Sequence, residues 1–95
     1  MILYNITINI DNDVVDSWLH YIKKTHISDV LKTGLFIKCK LCKIHEEEHG
    51  GKSFSIQYFL NSWADYDNYQ NNFADVLQKE HSEKYHGKFA AFRTV

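Results

Sequence analysis

KSFSIQYFLN, residues 52–61, repeats its character at every second position. Phe54, Ile56, Tyr58 and Leu60 fall on one side; Ser55, Gln57, Phe59 and Asn61 fall on the other. A period of two is that of a β-strand, whose successive side chains point to opposite faces. The first face is wholly apolar and belongs against a core. The second is neutral and mostly polar, without a single charge, an unusual surface to leave in water. What covers it governs the rest of the reading.

Other stretches share the pattern. Residues 1–10 set Ile2, Tyr4, Ile6, Ile8 and Ile10 against Leu3, Asn5, Thr7 and Asn9. Residues 35–45 set Leu35, Ile37, Cys39 and Leu41 against Phe36, Lys38, Lys40 and Cys42, and residues 88–95 form a closing strand. Between the first two, Asp11, Asn12 and Asp13 supply helix N-cap chemistry. Val15, Trp18, Leu19, Ile22 and His26 then recur at three and four, one face of a helix. Gly34 is its natural C-terminal cap, and Ser28 is placed to cap a second short segment after a kink near His26. Gly50 and Gly51 permit a hairpin turn. Ser62 and Asp65 open a capping box for a long helix, with Tyr66, Tyr69, Phe73, Leu77, His81 and Tyr85 along one stripe and Gly87 at its end.

The order βαββαβ predicts an α+β, ferredoxin-like domain over residues 1–95. Its antiparallel sheet takes the order 4-1-3-2, with two helices on one face. Leu3, Phe59, Phe36 and Phe92 then lie on the bare face among Asn5, Thr7, Gln57 and Asn61. Such a face suits a second sheet better than water. The expected assembly is a homodimer through the open sheet face, a dimeric α/β barrel.

The totals agree with one small globule: 95 residues, 44% hydrophobic, 24% charged, net charge −1, 15% aromatic. Near-neutral charge predicts no nucleic-acid partner, and no apolar run approaches the ~20 residues that span a bilayer. Met1 leads straight into a strand rather than a signal peptide, so the expected compartment is cytoplasmic with both cysteines reduced.

Residues 45–49 spell H-E-x-x-H. That chemistry requires a helix presenting both histidines on one face, whereas here the segment joins two strands, so it reads as a solvated acidic turn and not a metal site. Cys39 and Cys42 spell C-x-x-C, but in a strand such residues point to opposite faces roughly 10 Å apart, too far to pair. His26 and His81 lie on the inner stripes of their helices. Each is either a core-edge histidine bonded to backbone or to a tyrosine such as Tyr58, or a general base or ligand contact. Asn5, Thr7 and Gln57, beside Phe59, either hydrogen-bond across a dimer interface or line a ligand space. Arg93 either anchors an anion or pairs with a carboxylate.

Residues 1–7 (MILYNIT), the helix from Trp18 to His26-Ile27, Thr33-Gly34-Leu35-Phe36, Gln57-Tyr58 and Gly87-Lys88 with Phe92-Arg93-Thr94 resemble a small bacterial family of unknown function found mainly in Bacteroidetes. Relatives often carry proline where this chain has Ser28. The family is similar in layout to the dimeric α/β-barrel superfamily of antibiotic-biosynthesis-type monooxygenases, haem-degrading enzymes and ligand-binding or structural members. The resemblance implies the fold and a homodimer but brings no catalytic residues. Two functions follow as expectations. One is a small-molecule-binding or structural dimer without a cofactor, its candidate ligand residues being Asn5, Thr7, His26, Gln57, Tyr58, Phe59, His81 and Arg93. The other is a cofactor-independent monooxygenase-like enzyme acting on an aromatic or quinone-like substrate, with haem on His26 or His81 as a lesser variant.

Overall fold

The computed structural model describes residues 1–44 and 50–95. Its strands are β1 (Ile2–Ile10), β2 (Lys38–Ile44), β3 (Lys52–Leu60) and β4 (Phe89–Thr94), and its α-helices are α1 (Val15–Tyr21), α2 (Ile27–Leu31), α3 (Trp63–Asn72) and α4 (Ala74–Lys84). The sheet is antiparallel in the order β2-β3-β1-β4, the expected 4-1-3-2 read from its other edge. β1 pairs β3 along its whole length, Ile2 opposite Leu60 through Ile10 opposite Lys52. The two cleanest alternators are therefore the two central strands.

The alternation sorts the sheet as the sequence implied. Tyr4, Ile6, Ile8 and Ile10 from β1, with Phe54, Ile56, Tyr58 and Leu60 from β3, are all buried. Trp18, Ile22, Val30, Tyr69, Ala74 and Tyr85 cover them from the helices. Trp18 packs its ring on Phe54 at 5.1 Å between centroids, and Tyr4 meets Tyr66 edge-on at 5.5 Å. These aromatic contacts hold the helical layer to the sheet and contribute beyond their buried area.

The first helical stretch differs from a plain α-helix. Between α1 and α2, residues Ile22–His26 form a π-helical turn. Trp18, Ile22, His26 and Val30 are all buried, and three successive four-residue steps average more than the 3.6 residues per turn of an α-helix. A straight helix would rotate the last of them off the sheet; one wider turn keeps all four facing it. Ser28 caps nothing, because the backbone stays helical through His26 and Ile27. Gly34 follows with a φ of 78°, the left-handed residue expected at the helix end.

The long second helix is likewise two. It breaks at Phe73, whose φ of −128° separates α3 from α4. The stripe survives the break, since Tyr69, His81 and Tyr85 are buried and Tyr66, Phe73 and Leu77 pack against the core. The Ser62 hydroxyl accepts the Asp65 amide at 3.2 Å, which is the capping interaction foreseen.

One placement needs correction. Phe36 is not on the bare face: its ring lies 5.2 Å from Tyr58 and 4.9 Å from Tyr69, on the helix side. The strand begins only at Lys38, so the alternation that assigned Phe36 outward does not extend through residues 35–37. The C-x-x-C residues do point apart. Cys39 sits opposite Tyr58 on the core side, and Cys42 sits opposite Ser55 on the open side. Burial pushes the Cys39 thiol up to about 11, so it is an inert thiol. The H-E-x-x-H motif falls in residues 45–49, outside the described residues.

Gly51 has the tightest steric reason to be glycine. Its φ is 110°, and a Cβ there would stand 2.5 Å from the Ile10 carbonyl oxygen and 2.8 Å from Asn9 Oδ1. The obstacle is backbone on a central strand and cannot swing aside. Gly51→Ala is expected to cost about 3 kcal/mol, backbone strain and displacement of β1 combined. Urea unfolding checks this, and a loss under about 1 kcal/mol would show that the turn rearranges freely.

Candidate functional site

The eight sequence-predicted site residues do not form one site. Four face the helices and four face away from them.

On the helix side, Ile6, Ile8, His26, Ile56, Tyr58, Tyr69, Gln78, His81, Phe89, Ala91 and Arg93 enclose a cavity of about 20 Å³, room for a single water. The π-helical turn delivers His26, α4 delivers Gln78 and His81, and the alternation of β4 brings Phe89, Ala91 and Arg93 to the same side. The two imidazole centroids are 5.7 Å apart.

Trp18 fixes the state of His81. Its indole N–H donates to His81 Nε2 at 2.9 Å, both groups being buried. Neutral His81 therefore carries its proton on Nδ1. Burial pulls its pKa down to about 4, with His26 and Arg93 adding to the effect. Burial also lowers His26, against a partial upward pull from Asp29. Both rings are neutral at pH 7.

Two of the lining residues, His26 and Tyr58, carry poorly satisfied polar atoms. His26 Nδ1 and the Tyr4 hydroxyl are buried without a hydrogen bond, and the Tyr58 hydroxyl meets the sulfur of Cys39, a weak acceptor. His26 is 8% exposed and Tyr58 1%. An unsatisfied buried group of this kind costs roughly 1–3 kcal/mol. Burial first, then the neighbouring Cys39, holds the Tyr58 hydroxyl far above the usual tyrosine range, so it stays protonated and is a donor.

A pH dependence follows. The histidines bind protons less readily in the folded than in the unfolded chain. Their contribution is full above pH 6.5 and is lost as pH falls from there toward 4, where His81 itself titrates. The expected loss is about 2–3 kcal/mol over that window. His81→Gln, which keeps an acceptor for the Trp18 indole, should flatten most of it. Urea midpoints at pH 7.5, 6, 5 and 4 provide the check, and an H81Q profile parallel to that of the unaltered chain would contradict the assignment.

The opposite face is built differently. Ser55 donates to Asn5 Oδ1, Asn5 Nδ2 donates to Thr7 Oγ1 at 3.1 Å, and Gln57 Nε2 donates to Ser55 Oγ at 3.3 Å. Asn9 Nδ2 donates to Ser53 Oγ at 3.2 Å. Ser55–Asn5 and Asn9–Ser53 cross between β3 and β1, while Asn5–Thr7 and Gln57–Ser55 run along a single strand, so these groups bond to one another within the chain. Around them stand apolar groups: Leu3 is 41% exposed, Phe92 63%, and Phe59 is half-buried under the Lys38 ammonium, 4.9 Å from its ring centre. A groove of about 410 Å³ runs between Ile44 and Phe92 over Thr7, Asn9, Ser53 and Ala90. Among the described residues, no three His, Cys, Asp or Glu side chains come together as a metal site, and no helix is long and apolar enough to cross a membrane.

Sequence reasoning named His26, Tyr58, His81 and Arg93 but missed Trp18, Tyr69 and Gln78. The four-residue spacing from Trp18 through His26 was the available signal for Trp18. Gln78 lies three residues before His81 and so shares its helix face.

Fold and site together define a ferredoxin-like α+β protein with helices on one sheet face only. The chain belongs to the family described as Domain of unknown function (DUF4286), whose model matches residues 1–95. Solved structures of the same fold include an ethyl tert-butyl ether d (ethd) family protein from Bacillus halodurans, with a TM-score of 0.69 at 10% identity, covering 100% of this chain and 98% of that one. A dimeric ferredoxin-like protein from an uncultured marine organism matches with a TM-score of 0.69 at 15% identity, covering 97% and 91%. An antibiotic biosynthesis monooxygenase matches with a TM-score of 0.58 at 12% identity, covering 99% and 97%. At these identities the likeness is one of fold alone. No curated protein matches the chain in sequence.

Proposed function

We propose that this protein is a homodimer that binds a small molecule, with the open sheet face as the interface and the helix-side cavity of each subunit as the ligand site. The observation that carries the ligand site is a pair of poorly satisfied polar residues lining one small cavity, His26 with an unpartnered Nδ1 and Tyr58 with the weakly accepting Cys39 sulfur beside its hydroxyl. Their cost is what function held against stability would look like.

The open face supports the other half of the reading. Its polar groups are already bonded to each other, so a partner sheet removes water from them at little cost. The same mutual bonding makes it a poorer ligand site than the cavity. Of the eight candidates, Asn5, Thr7, Gln57 and Phe59 are therefore assigned to the interface, and His26, Tyr58, His81 and Arg93 to the cavity. Structural neighbours described as dimeric support the assembly.

Tyr58→Phe tests the ligand site. Removing a hydroxyl whose partner is a thiol sulfur, without changing ring volume, should leave stability unchanged or raise it by up to about 1 kcal/mol. A loss of similar size would mean that the hydroxyl is a structural group, and the cavity would lose its main claim to function.

A further inference from the structure

Resting on the cavity reading above, we infer that the ligand is a small carboxylate, received at Arg93 and hydrogen-bonded within by Tyr58 and the two histidines.

The charges of the cavity point one way. Arg93 lines it, is exposed at its edge, and among the described residues makes neither an ion pair nor a hydrogen bond. No aspartate or glutamate is among the lining residues. The guanidinium is permanently charged and offers a planar fork of donors matched to a carboxylate. A cationic ligand would meet that charge with no carboxylate on the cavity wall to offset it, Asp29 acting on His26 from outside the lining.

The uncharged groups agree in sense. Because the indole of Trp18 occupies His81 Nε2, the remaining nitrogen of His81 is an N–H donor. The protonated hydroxyl of Tyr58, set against the Cys39 sulfur, can turn to donate to a better acceptor, and His26 Nδ1 becomes a donor in the tautomer that places the proton there. The rest of the wall is apolar, from Ile6, Ile8, Ile56, Phe89 and Ala91, which strengthens each charge-assisted bond by excluding water. A donor-rich, water-poor cavity with one guanidinium and no carboxylate selects an acceptor-rich anion.

Size sets the manner of entry. The closed cavity takes one water, so a carboxylate enters by turning Gln78 and Arg93 outward. Gln78 is half-buried and Arg93 exposed, so neither is locked by packing. The remainder of the ligand then lies toward the mouth between α4 and β4.

Acetate and acetamide, equal in shape and different in charge, are the probes. The full-length protein is titrated with each at constant ionic strength, and the side-chain ¹H–¹⁵N correlations of His26 and His81 are followed. Acetate should shift both histidines saturably, acetamide should not, and Arg93→Gln should weaken acetate at least tenfold while the backbone spectrum stays folded. Equal binding of the two probes, or acetate binding untouched by R93Q, overturns the carboxylate inference and leaves the cavity as a binding site. If neither probe moves either histidine, the cavity reading falls with it.

Discussion

Phe92→Asp is expected to yield a well-folded single chain whose self-association is weakened at least a hundredfold. Phe92 is 63% exposed, so the substitution costs the isolated fold little, within about 0.5 kcal/mol. In the proposed dimer the same position is covered by a second sheet, where an unpaired carboxylate is strongly disfavoured. A hundredfold loss corresponds to about 3 kcal/mol. Phe59 is the weaker probe, because Lys38 and Lys40 stand 4.9 and 5.9 Å from its ring centre and would neutralise an aspartate introduced there. Size-exclusion chromatography with light scattering decides the matter. An F92D protein that elutes and scatters like the unaltered one removes Phe92 from the interface.

Trp18→Ala is expected to have the largest effect on the fold itself, about 5 kcal/mol. Trp18 is fully buried, stacks beside Phe54 and supplies the hydrogen bond that holds His81. Truncating a buried tryptophan costs about 3–5 kcal/mol through lost contacts and the cavity left behind. Stranding His81 Nε2 adds about 1–3 kcal/mol unless water enters. A chain of this length has on the order of 5–14 kcal/mol in hand, so the variant stands at or near the edge of folding. Circular dichroism should show its melting point lowered by about 20 °C or more. Should it fall by less than about 5 °C, the link between α1 and α4 through Trp18 and His81 is not the pillar assigned to it. Trp18→Phe separates the two contributions, since it keeps an aromatic ring against Phe54 and loses only the indole N–H and part of the volume.

The fold was legible because the strands obey their period. In β1 and β3 every second residue is apolar, and a slip of one residue would turn that whole set to the wrong side. Register, strand order and the uncovered face follow from that constraint and from the short connections. The failures occur where the backbone departs from regularity. Phe36 sits just before β2, in a segment read as strand, and period-two reasoning sent it to the wrong face. The π-helical turn was visible only as a run of four-residue steps, easily mistaken for ordinary helical spacing with a kink. Phe73 interrupts a helix whose apolar stripe gives no sign of a break.

The site was legible as residue types but not as a place. His26, His81, Tyr58 and Arg93 stand out as titratable or polar groups on inward positions. Asn5, Thr7, Gln57 and Phe59 stand out as a neutral face. Nothing in a linear pattern says which helical residues meet Tyr58 and Arg93 across the core, or that Trp18 commits one nitrogen of His81. Those facts depend on which helix crosses which strand, a tertiary matter. What alternation does supply is parity: even-numbered Tyr58 and odd-numbered Gln57 on one strand cannot share a chamber.

Sedimentation equilibrium of the unaltered protein at tens of micromolar tests the proposed sheet-to-sheet dimer most directly. The expected particle has twice the 11.2 kDa mass of the chain, and its mass should be little changed by added salt, because the proposed contact is neutral and largely apolar. A particle of 11.2 kDa at every concentration, with Leu3 and Phe92 open to water, would contradict the account.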